Sequence, residues 1–222
     1  PPGSLRALVR SARAVPGLGL LGPRLRDGEG RVQRSVRAAP SVAALCHRLC
    51  LLRWTGLFKK AHDAYRDGRG GDGPHDAEVL LGAALLMPRR VWREVGGWDE
   101  RFLFGGEDID LCLRVGKRWR VMHDPRTTVV HLGRVASRQR PEFVQGSTLV
   151  GITRSLRTAG AGRWAVLAYK AAFTLDLPFR LAELAGRWAW DRLRGRSGRR
   201  AWLDLVGLGS FAWRHLWAFW RA

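Results

Sequence analysis

The most informative segment of the chain, residues 105–131, reads GGEDIDLCLRVGKRWRVMHDPRTTVVH. Apolar residues recur with helical spacing from Glu107 to Val115, which predicts a helix. Two strand-like runs, residues 119–122 and 127–130, flank an Asp-Pro pair and predict strands. A helix followed by strands within one short segment is typical of an α/β domain.

The sequence just upstream extends this α/β pattern. The apolar run at residues 79–87 predicts a strand buried on both faces, which Pro88 ends. Residues 89–95 predict a short helix, and residues 96–99 a turn. Residues 66–75 are rich in Gly, Asp and Arg and predict a mobile loop.

The first third of the chain predicts a mixture of helices and strands. A helix is expected over residues 5–12, with Ser4 as its N-cap. Residues 18–21 predict a buried strand, residues 32–36 a returning strand, and residues 40–58 a helical segment.

Three carboxylates crowd the start of the helix predicted at residue 107: Glu107, Asp108 and Asp110. Their charge suits the positive end of a helix, and two of them would be ordinary capping. Three beside a Gly-Gly loop, where a ligand can approach the backbone, indicate a site. A carboxylate held there can act as a general base toward a hydroxyl. For Asp110 we favour capping or an ion pair with Arg114.

Two histidines lie in the strand-forming part of the same segment. His131 ends a β-branched run, where its side chain projects from the strand tip into a cleft. Taken alone, a histidine in such a place is more often a structural hydrogen-bonding residue than a ligand. We assign His123 as structural on the same ground.

Together these motifs resemble the second half of the catalytic domain of glycosyltransferase family 2, in its rhamnosyltransferase-like and galactofuranosyltransferase-like branch. Trp98 stands where that family usually has Phe. The resemblance covers roughly residues 1–137, and its motifs are specific for the family but weak for the sugar. The matched runs are Gly82-Ala83, residues 95–102, residues 107–114 and residues 129–131. The resemblance implies an α/β, partial A-type (nucleotide-diphospho-sugar transferase) fold, with residues 1–145 forming the acceptor-side part.

The resemblance also implies a role for each matched position. Asp108 would be the catalytic base of an inverting transfer, deprotonating the acceptor hydroxyl, and Glu107 would support it. His131 would be the protein ligand that completes a divalent metal site, Mg²⁺ or Mn²⁺, on the donor diphosphate. Substrate-binding positions would be Gly82, Ala83, Trp98 and Gly106.

The family's nucleotide-binding half, with its Asp-x-Asp metal motif, is expected before Pro1, and no segment of this chain matches it. We therefore expect the chain to hold an acceptor and supply a base but to be inactive alone. The implied donor is a nucleotide-sugar such as dTDP-rhamnose or a UDP-sugar. The implied acceptor is a cell-envelope glycan or a polyprenyl-diphosphate-linked sugar.

Residues 146–222 differ in composition from the rest, with seven of the eleven Trp and a surplus of basic residues. On a helical wheel, Trp202, Val206, Trp213, Trp217 and Trp220 fall within about 60° of arc. A Trp stripe beside Arg predicts a helical, membrane-associating tail, and hence a cytoplasmic protein peripheral to the inner face of the plasma membrane. The alternative is that the stripe packs on the catalytic domain or closes a dimer.

The formal net charge of +20 predicts attraction to an anionic partner. A second hypothesis is therefore a non-catalytic basic module, derived from the same fold, that binds a membrane or a polyanion. A third is a peripheral membrane anchor with a degenerate enzyme domain. The basic residues are scattered and no nucleic-acid motif stands out, so nucleic acid is not the expected partner.

Overall fold

The computed structural model describes residues 2–66, 72–133 and 139–222. These residues form two units that interleave along the chain. The first unit takes its residues from Pro1–Pro40, Asp63–Arg101 and Gly106–Gly133, and the second from Ser41–His62, Phe102–Gly105 and Arg134–Ala222. The sequence predicted one boundary, at residue 145. Half of the predicted mobile loop, residues 67–71, lies outside the described residues.

A mixed, four-stranded sheet forms the centre of the first unit, with strand order β2-β1-β6-β4. Strands β1 and β6 pair in parallel, whereas β2 and β4 are short antiparallel edge strands. Strands β3 and β5 form a separate antiparallel pair. The strands are β1 (Leu18–Arg26), β2 (Val32–Gln33), β3 (Val36–Arg37), β4 (His75–Asp76), β5 (Val79–Leu80) and β6 (Arg120–Val130).

The helices of both units follow in chain order. Helices α1, α5 and α6 belong to the first unit, α4 begins in the second unit and ends in the first, and the remaining helices belong to the second. Their bounds are α1 (Ser4–Arg13), α2 (Val42–Cys46), α3 (Cys50–Arg53), α4 (Lys59–Arg66), α5 (Arg89–Val95), α6 (Glu107–Gly116), α7 (Pro141–Thr158), α8 (Arg163–Leu193), α9 (Arg199–Ser210), a π-helical turn (Phe211–His215) and α10 (Leu216–Arg221).

The mixed α/β class and helices α1, α5 and α6 agree with the sequence-based expectations. Ser4 is not the N-cap of α1, because Gly3 occupies that position and the Ser4 hydroxyl donates to the Thr128 carbonyl instead. The helix predicted over residues 40–58 is broken into α2 and α3. The returning strand predicted over residues 32–36 is divided between β2 and β3, which pair with different partners.

The long strand predicted at residues 79–87 is the largest error in the predicted fold. Only Val79 and Leu80 form a strand, and after a turn the chain rejoins the sheet at a single bridge between Leu86 and Leu21. The interruption falls at Gly82, whose backbone N–H is directed at the Asp108 carboxylate. The prediction of burial therefore holds only at the start of the run, since Val79 and Leu80 are buried whereas Gly82 and Ala83 are exposed.

His123 lies on β6 and is 5% exposed, which agrees with a structural assignment. By distance and angle, however, neither ring nitrogen has a well-formed hydrogen bond among the described residues. Its ring instead packs edge-on against His75, with 5.1 Å between centroids. Burial, followed by the nearby His75 and Arg24, lowers the pKa of His123 to about 4.

The unfolding free energy is expected to fall as the pH drops from about 6.5 to about 4. In that window the unfolded state binds a proton at His123 and the folded state does not, so acid favours unfolding. The loss is on the order of 2–3 kcal/mol. Urea titrations at pH 6.5 and 4.5 should show a smaller pH dependence for His123→Leu than for the wild type or for His62→Gln. An unchanged pH dependence in His123→Leu would contradict the assignment.

The second unit is built from helices around an aromatic core. Phe211 and Phe219 are both fully buried, and their rings lie 5.3 Å apart. Both contact Phe173 of the long helix α8. The C-terminal helices therefore pack against α8 through Phe211 and Phe219.

Tryptophans of the same C-terminal helices face outward. Trp213 is 89% exposed and Trp217 is 66% exposed, with the Arg221 guanidinium 4.0 Å from the Trp217 ring. Trp202 lies against Trp188 of α8. Although α8 has 31 residues, no helix among the described residues combines the length and the apolar character needed to cross a membrane.

Candidate functional site

The Asp108 carboxylate lies in the first turn of α6 and is 5% exposed. Its Oδ1 accepts hydrogen bonds from the Ile109 N–H at 2.8 Å and from Arg37 Nη2 at 3.0 Å. Its Oδ2 accepts from the Gly82 N–H at 3.2 Å and from Arg37 Nη2 at 3.1 Å. A carboxylate has about four lone-pair positions, and these three donors occupy most of them. Two of the donors are backbone groups fixed by the fold, and the third is a movable side chain.

Arg37 is a site residue that the sequence analysis missed. It ends β3, next to β5, and this pairing carries its guanidinium to α6 although 71 residues separate it from Asp108. Its Nε is buried and has no hydrogen-bond partner among the described residues. Arg37 therefore holds both oxygens of Asp108 through one nitrogen, Nη2.

Removing Arg37 is expected to leave a buried carboxylate without its cationic partner. Arg37→Gln should lower the unfolding free energy by about 2 kcal/mol, because an uncompensated buried charge is costly. Asp108→Asn should relieve much of that cost, so the double variant should be more stable than the sum of the single losses predicts. Urea denaturation of the four proteins measures the coupling. Additive losses would show that the ion pair contributes little.

Gly82 lies directly against the Asp108 side chain. A Cβ at residue 82 would lie 3.1 Å from the Asp108 Cβ, closer than ordinary contact. The residue also supplies the N–H that binds Oδ2. The structure thus brings together the Gly-Ala segment and the Glu-Asp segment, two parts of the motif that are 26 residues apart.

Asp110 forms the predicted ion pair with Arg114, at 2.7 Å, so this expectation is confirmed. Arg114 also donates to the carbonyls of Val95, at 2.6 Å, and Gly97, at 2.9 Å. Gly96 and Gly97 both have positive φ, which lets the chain turn back toward α6. Asp110 and Arg114 therefore tie the Val-Gly-Gly turn to the helix that carries Asp108.

His131 follows β6, at the edge where the parallel strands β1 and β6 both end. Its backbone N–H donates to the Arg26 carbonyl at 2.8 Å. Gln33, which the sequence analysis also missed, donates from Nε2 to the His131 carbonyl at 2.7 Å and lies 2.9 Å from Nδ1 through Oε1. Since Oε1 can only accept, Nδ1 carries the proton and Nε2 keeps a lone pair. Such an arrangement suits a metal-binding histidine.

The other predicted site residues occupy the same unit. Gly106, with φ of 95°, is the N-cap residue of α6, and Glu107 is the first residue of that helix. Ala83 is exposed beside Gly82. Trp98 is partly exposed, and its ring meets Trp92 edge-on at 6.2 Å.

A metal site built from this chain alone is not present in the described residues. They contain no group of three or more His, Cys, Asp or Glu side chains placed to share a cation. His131 has the free nitrogen that a ligand needs, so this residue fits one position of a metal site.

No protein-family model matches the chain. Two curated relatives do match, and both are described as N-acetylglucosaminyl-diphospho-decaprenol L-rhamnosyltransferase. They come from Mycobacterium tuberculosis strains CDC 1551 / Oshkosh and ATCC 25618 / H37Rv, and each is 36% identical over 132 residues. The match covers 59% of this chain but only 42% of each relative, so the chain spans less than half of their length.

Proposed function

We propose that this chain contributes the acceptor side of an inverting glycosyltransferase of family 2. The observation that carries the proposal is the buried Asp108 carboxylate, held by the Gly82 and Ile109 N–H groups and by one movable cation. The similarity to two rhamnosyltransferases supports it, since 132 residues align at 36% identity. Asp108 is the proposed general base, and Glu107 supports acceptor binding beside it.

In the proposed reaction an acceptor hydroxyl attacks the anomeric carbon of the donor sugar. Asp108 takes the hydroxyl proton, the new C–O bond forms, and the bond to the nucleoside diphosphate breaks with its electron pair. Because three donors occupy most of the Asp108 lone-pair positions, departure of one donor would open the carboxylate to the acceptor hydroxyl. Arg37 is the donor with a flexible side chain, and we infer that it moves toward an anionic ligand when substrate binds.

We further propose that His131 binds a divalent cation, Mg²⁺ or Mn²⁺, through Nε2. Gln33 fixes the tautomer and the orientation of the ring. A bound cation would neutralise the negative charge that develops on the departing diphosphate. The remaining ligands would come from the donor diphosphate and from groups outside the described residues.

The proposed donor is a nucleotide-sugar, with rhamnose as the first candidate because both relatives are rhamnosyltransferases. The proposed acceptor is a sugar linked to a polyprenyl diphosphate, or a cell-envelope glycan. Gly82, Ala83, Trp98 and Gly106 are the proposed substrate-binding positions. The exposed face of Trp98 suits stacking on a sugar ring, as aromatic side chains offer a rigid apolar surface.

The test is sugar transfer by the full-length product of the encoding reading frame, because this chain covers only part of its relatives. The assay combines dTDP-rhamnose, a divalent cation and N-acetylglucosaminyl-diphospho-polyprenol. We expect a product heavier by one deoxyhexose and a loss of product when the cation is chelated. Absence of transfer to this acceptor and to cell-envelope glycans, with dTDP- and UDP-sugars alike, would overturn the proposal.

We also propose that the protein is cytoplasmic and attaches peripherally to the inner face of the plasma membrane. The exposed Trp213 and Trp217 and the adjacent Arg214 and Arg221 support this, because Trp favours the headgroup boundary and Arg meets lipid phosphate.

Trp213→Ala/Trp217→Ala is expected to weaken binding to vesicles containing anionic lipid by about tenfold or more, as two large apolar side chains no longer enter the interface. Vesicle co-sedimentation at fixed salt measures the effect. Trp54→Ala, which removes an exposed tryptophan outside the C-terminal helices, is the matched control. Equal losses in the two proteins, or none in either, would contradict this membrane-binding surface.

A further inference from the structure

The helices of the second unit surround a cavity of about 920 Å³. Helices α2, α3, α7, α8 and α9 all contribute to its wall. Part of the lining is apolar and belongs to the core of the unit: Leu45, Leu49, Ile152, Phe173, Leu184 and Leu208. A volume of this size lies in the range of pockets that hold small-molecule ligands.

The rest of the lining carries an excess of positive charge. Six arginines contribute to the wall, whereas the carboxylates there are Glu183 and Asp204. The arginines are Arg48, Arg53, Arg180, Arg187, Arg199 and Arg200.

Glu183 is shared by two of these arginines. It accepts from Arg53 at 2.7 Å and lies 3.6 Å from Arg187. Asp204 accepts from the Gln145 amide at 2.9 Å, and Arg180 donates to the backbone carbonyl of Arg48. Within the described residues, therefore, the side chains of Arg48, Arg180, Arg199 and Arg200 form no ion pair with a carboxylate.

We propose that this cavity binds a lipid diphosphate, with the diphosphate among the arginines and the first isoprenoid units against the apolar wall. Guanidinium groups match phosphate oxygens in geometry and charge, and four of them here lack an anionic partner. Burial of an apolar chain against leucine and phenylalanine adds affinity that a free phosphate does not gain. The identification of the lipid as the anchor of the acceptor rests on the proposed function.

The probe is farnesyl diphosphate, added to the full chain below its micelle concentration at physiological ionic strength. Isothermal titration calorimetry compares it with farnesol, which lacks the head group, and with inorganic diphosphate, which lacks the apolar chain. We expect farnesyl diphosphate to bind at least tenfold more tightly than either, since each half of the ligand then contributes 1.4 kcal/mol or more.

Arg199→Gln/Arg200→Gln removes two exposed cavity arginines whose side chains form no hydrogen bond or ion pair with the described residues. It should weaken farnesyl diphosphate binding about tenfold or more. Arg192→Gln/Arg194→Gln removes the same charge from exposed positions of the second unit outside the cavity, and should change binding less than twofold.

Three results would overturn the proposal: no binding of farnesyl diphosphate, equal losses in the two double variants, or inorganic diphosphate binding as tightly as the lipid. The last would indicate a site for a soluble phosphate compound. Because the readout is binding, a bound lipid without sugar transfer would count against the proposed function and leave the cavity assignment intact.

Discussion

Replacing Asp108 with Asn is expected to lower the rate of sugar transfer by about 10²- to 10⁴-fold, the usual contribution of a general base. Asparagine keeps the size of the side chain and can still accept from the Gly82 N–H, but its amide cannot take the proton of the acceptor hydroxyl. The measurement is the initial rate of transfer by the full-length protein at saturating donor and acceptor. We expect kcat to fall far more than acceptor affinity, since the lost interaction acts on the transferred proton.

The matched control is Asp76→Asn, which removes an exposed carboxylate from the same unit. Asp76 pairs with Arg120 at 3.0 Å on the surface, and surface pairs contribute little to stability. This variant should transfer sugar at nearly the wild-type rate. If Asp108→Asn is equally active, Asp108 is not the base.

Phe219→Ala is expected to lower the unfolding free energy of the second unit by about 3 kcal/mol, because truncating a fully buried Phe removes apolar burial and leaves a cavity. The ring is 0% exposed and contacts the rings of Phe173, Tyr169 and Phe211, with centroids 5.2, 6.3 and 5.3 Å away. Urea denaturation followed by circular dichroism measures the loss. Phe219 lies three positions before the last residue of this chain. Truncation of a side chain in an unpacked terminus would hardly change the unfolding free energy, so a large loss would show that this helix is packed.

Trp217→Ala is the matched control for Phe219→Ala. Both residues lie on α10, but Trp217 is mostly exposed, so its truncation should change the unfolding free energy by no more than about 0.5 kcal/mol. Similar losses for the two variants would show that the helix packs on a different face. A neutral Phe219→Ala would show that α10 is not part of the core.

The α/β class and the helix carrying Asp108 were predictable because they depend on local spacing. The three carboxylates sit in the first turn of α6, and Asp110 reaches Arg114 one turn later, as the sequence indicated. Gly96 and Gly97 were equally visible as a turn, since glycine alone adopts positive φ without strain.

The tertiary partners of the site were not predictable from local pattern. Gln33 lies within the single strand predicted over residues 32–36 and Arg37 directly follows it, yet β2 pairs with β1 and β3 pairs with β5. Each contacts its site residue across 98 or 71 positions of sequence. The available signal was a Gln and an Arg that each directly follow a valine, Val32 and Val36, since such polar residues are seldom buried without a partner.

The structure of the C-terminal helices was also only partly predictable from the sequence. The helical wheel assumed one continuous α-helix, whereas a π-helical turn at Phe211–His215 separates α9 from α10. Such a turn changes the direction of every later side chain relative to the wheel. The tryptophans nevertheless remain partly or largely exposed, and the neighbouring Phe residues form the core.

The central claim is direct displacement at the anomeric carbon by an acceptor that Asp108 deprotonates. The most direct measurement is the anomeric configuration of the first-formed product, determined by NMR coupling constants and compared with that of the nucleotide-sugar donor. A single displacement with one base inverts the configuration, and this is the result that we predict. A product with retained configuration would contradict the claim, because retention requires a second displacement or a different ionic mechanism.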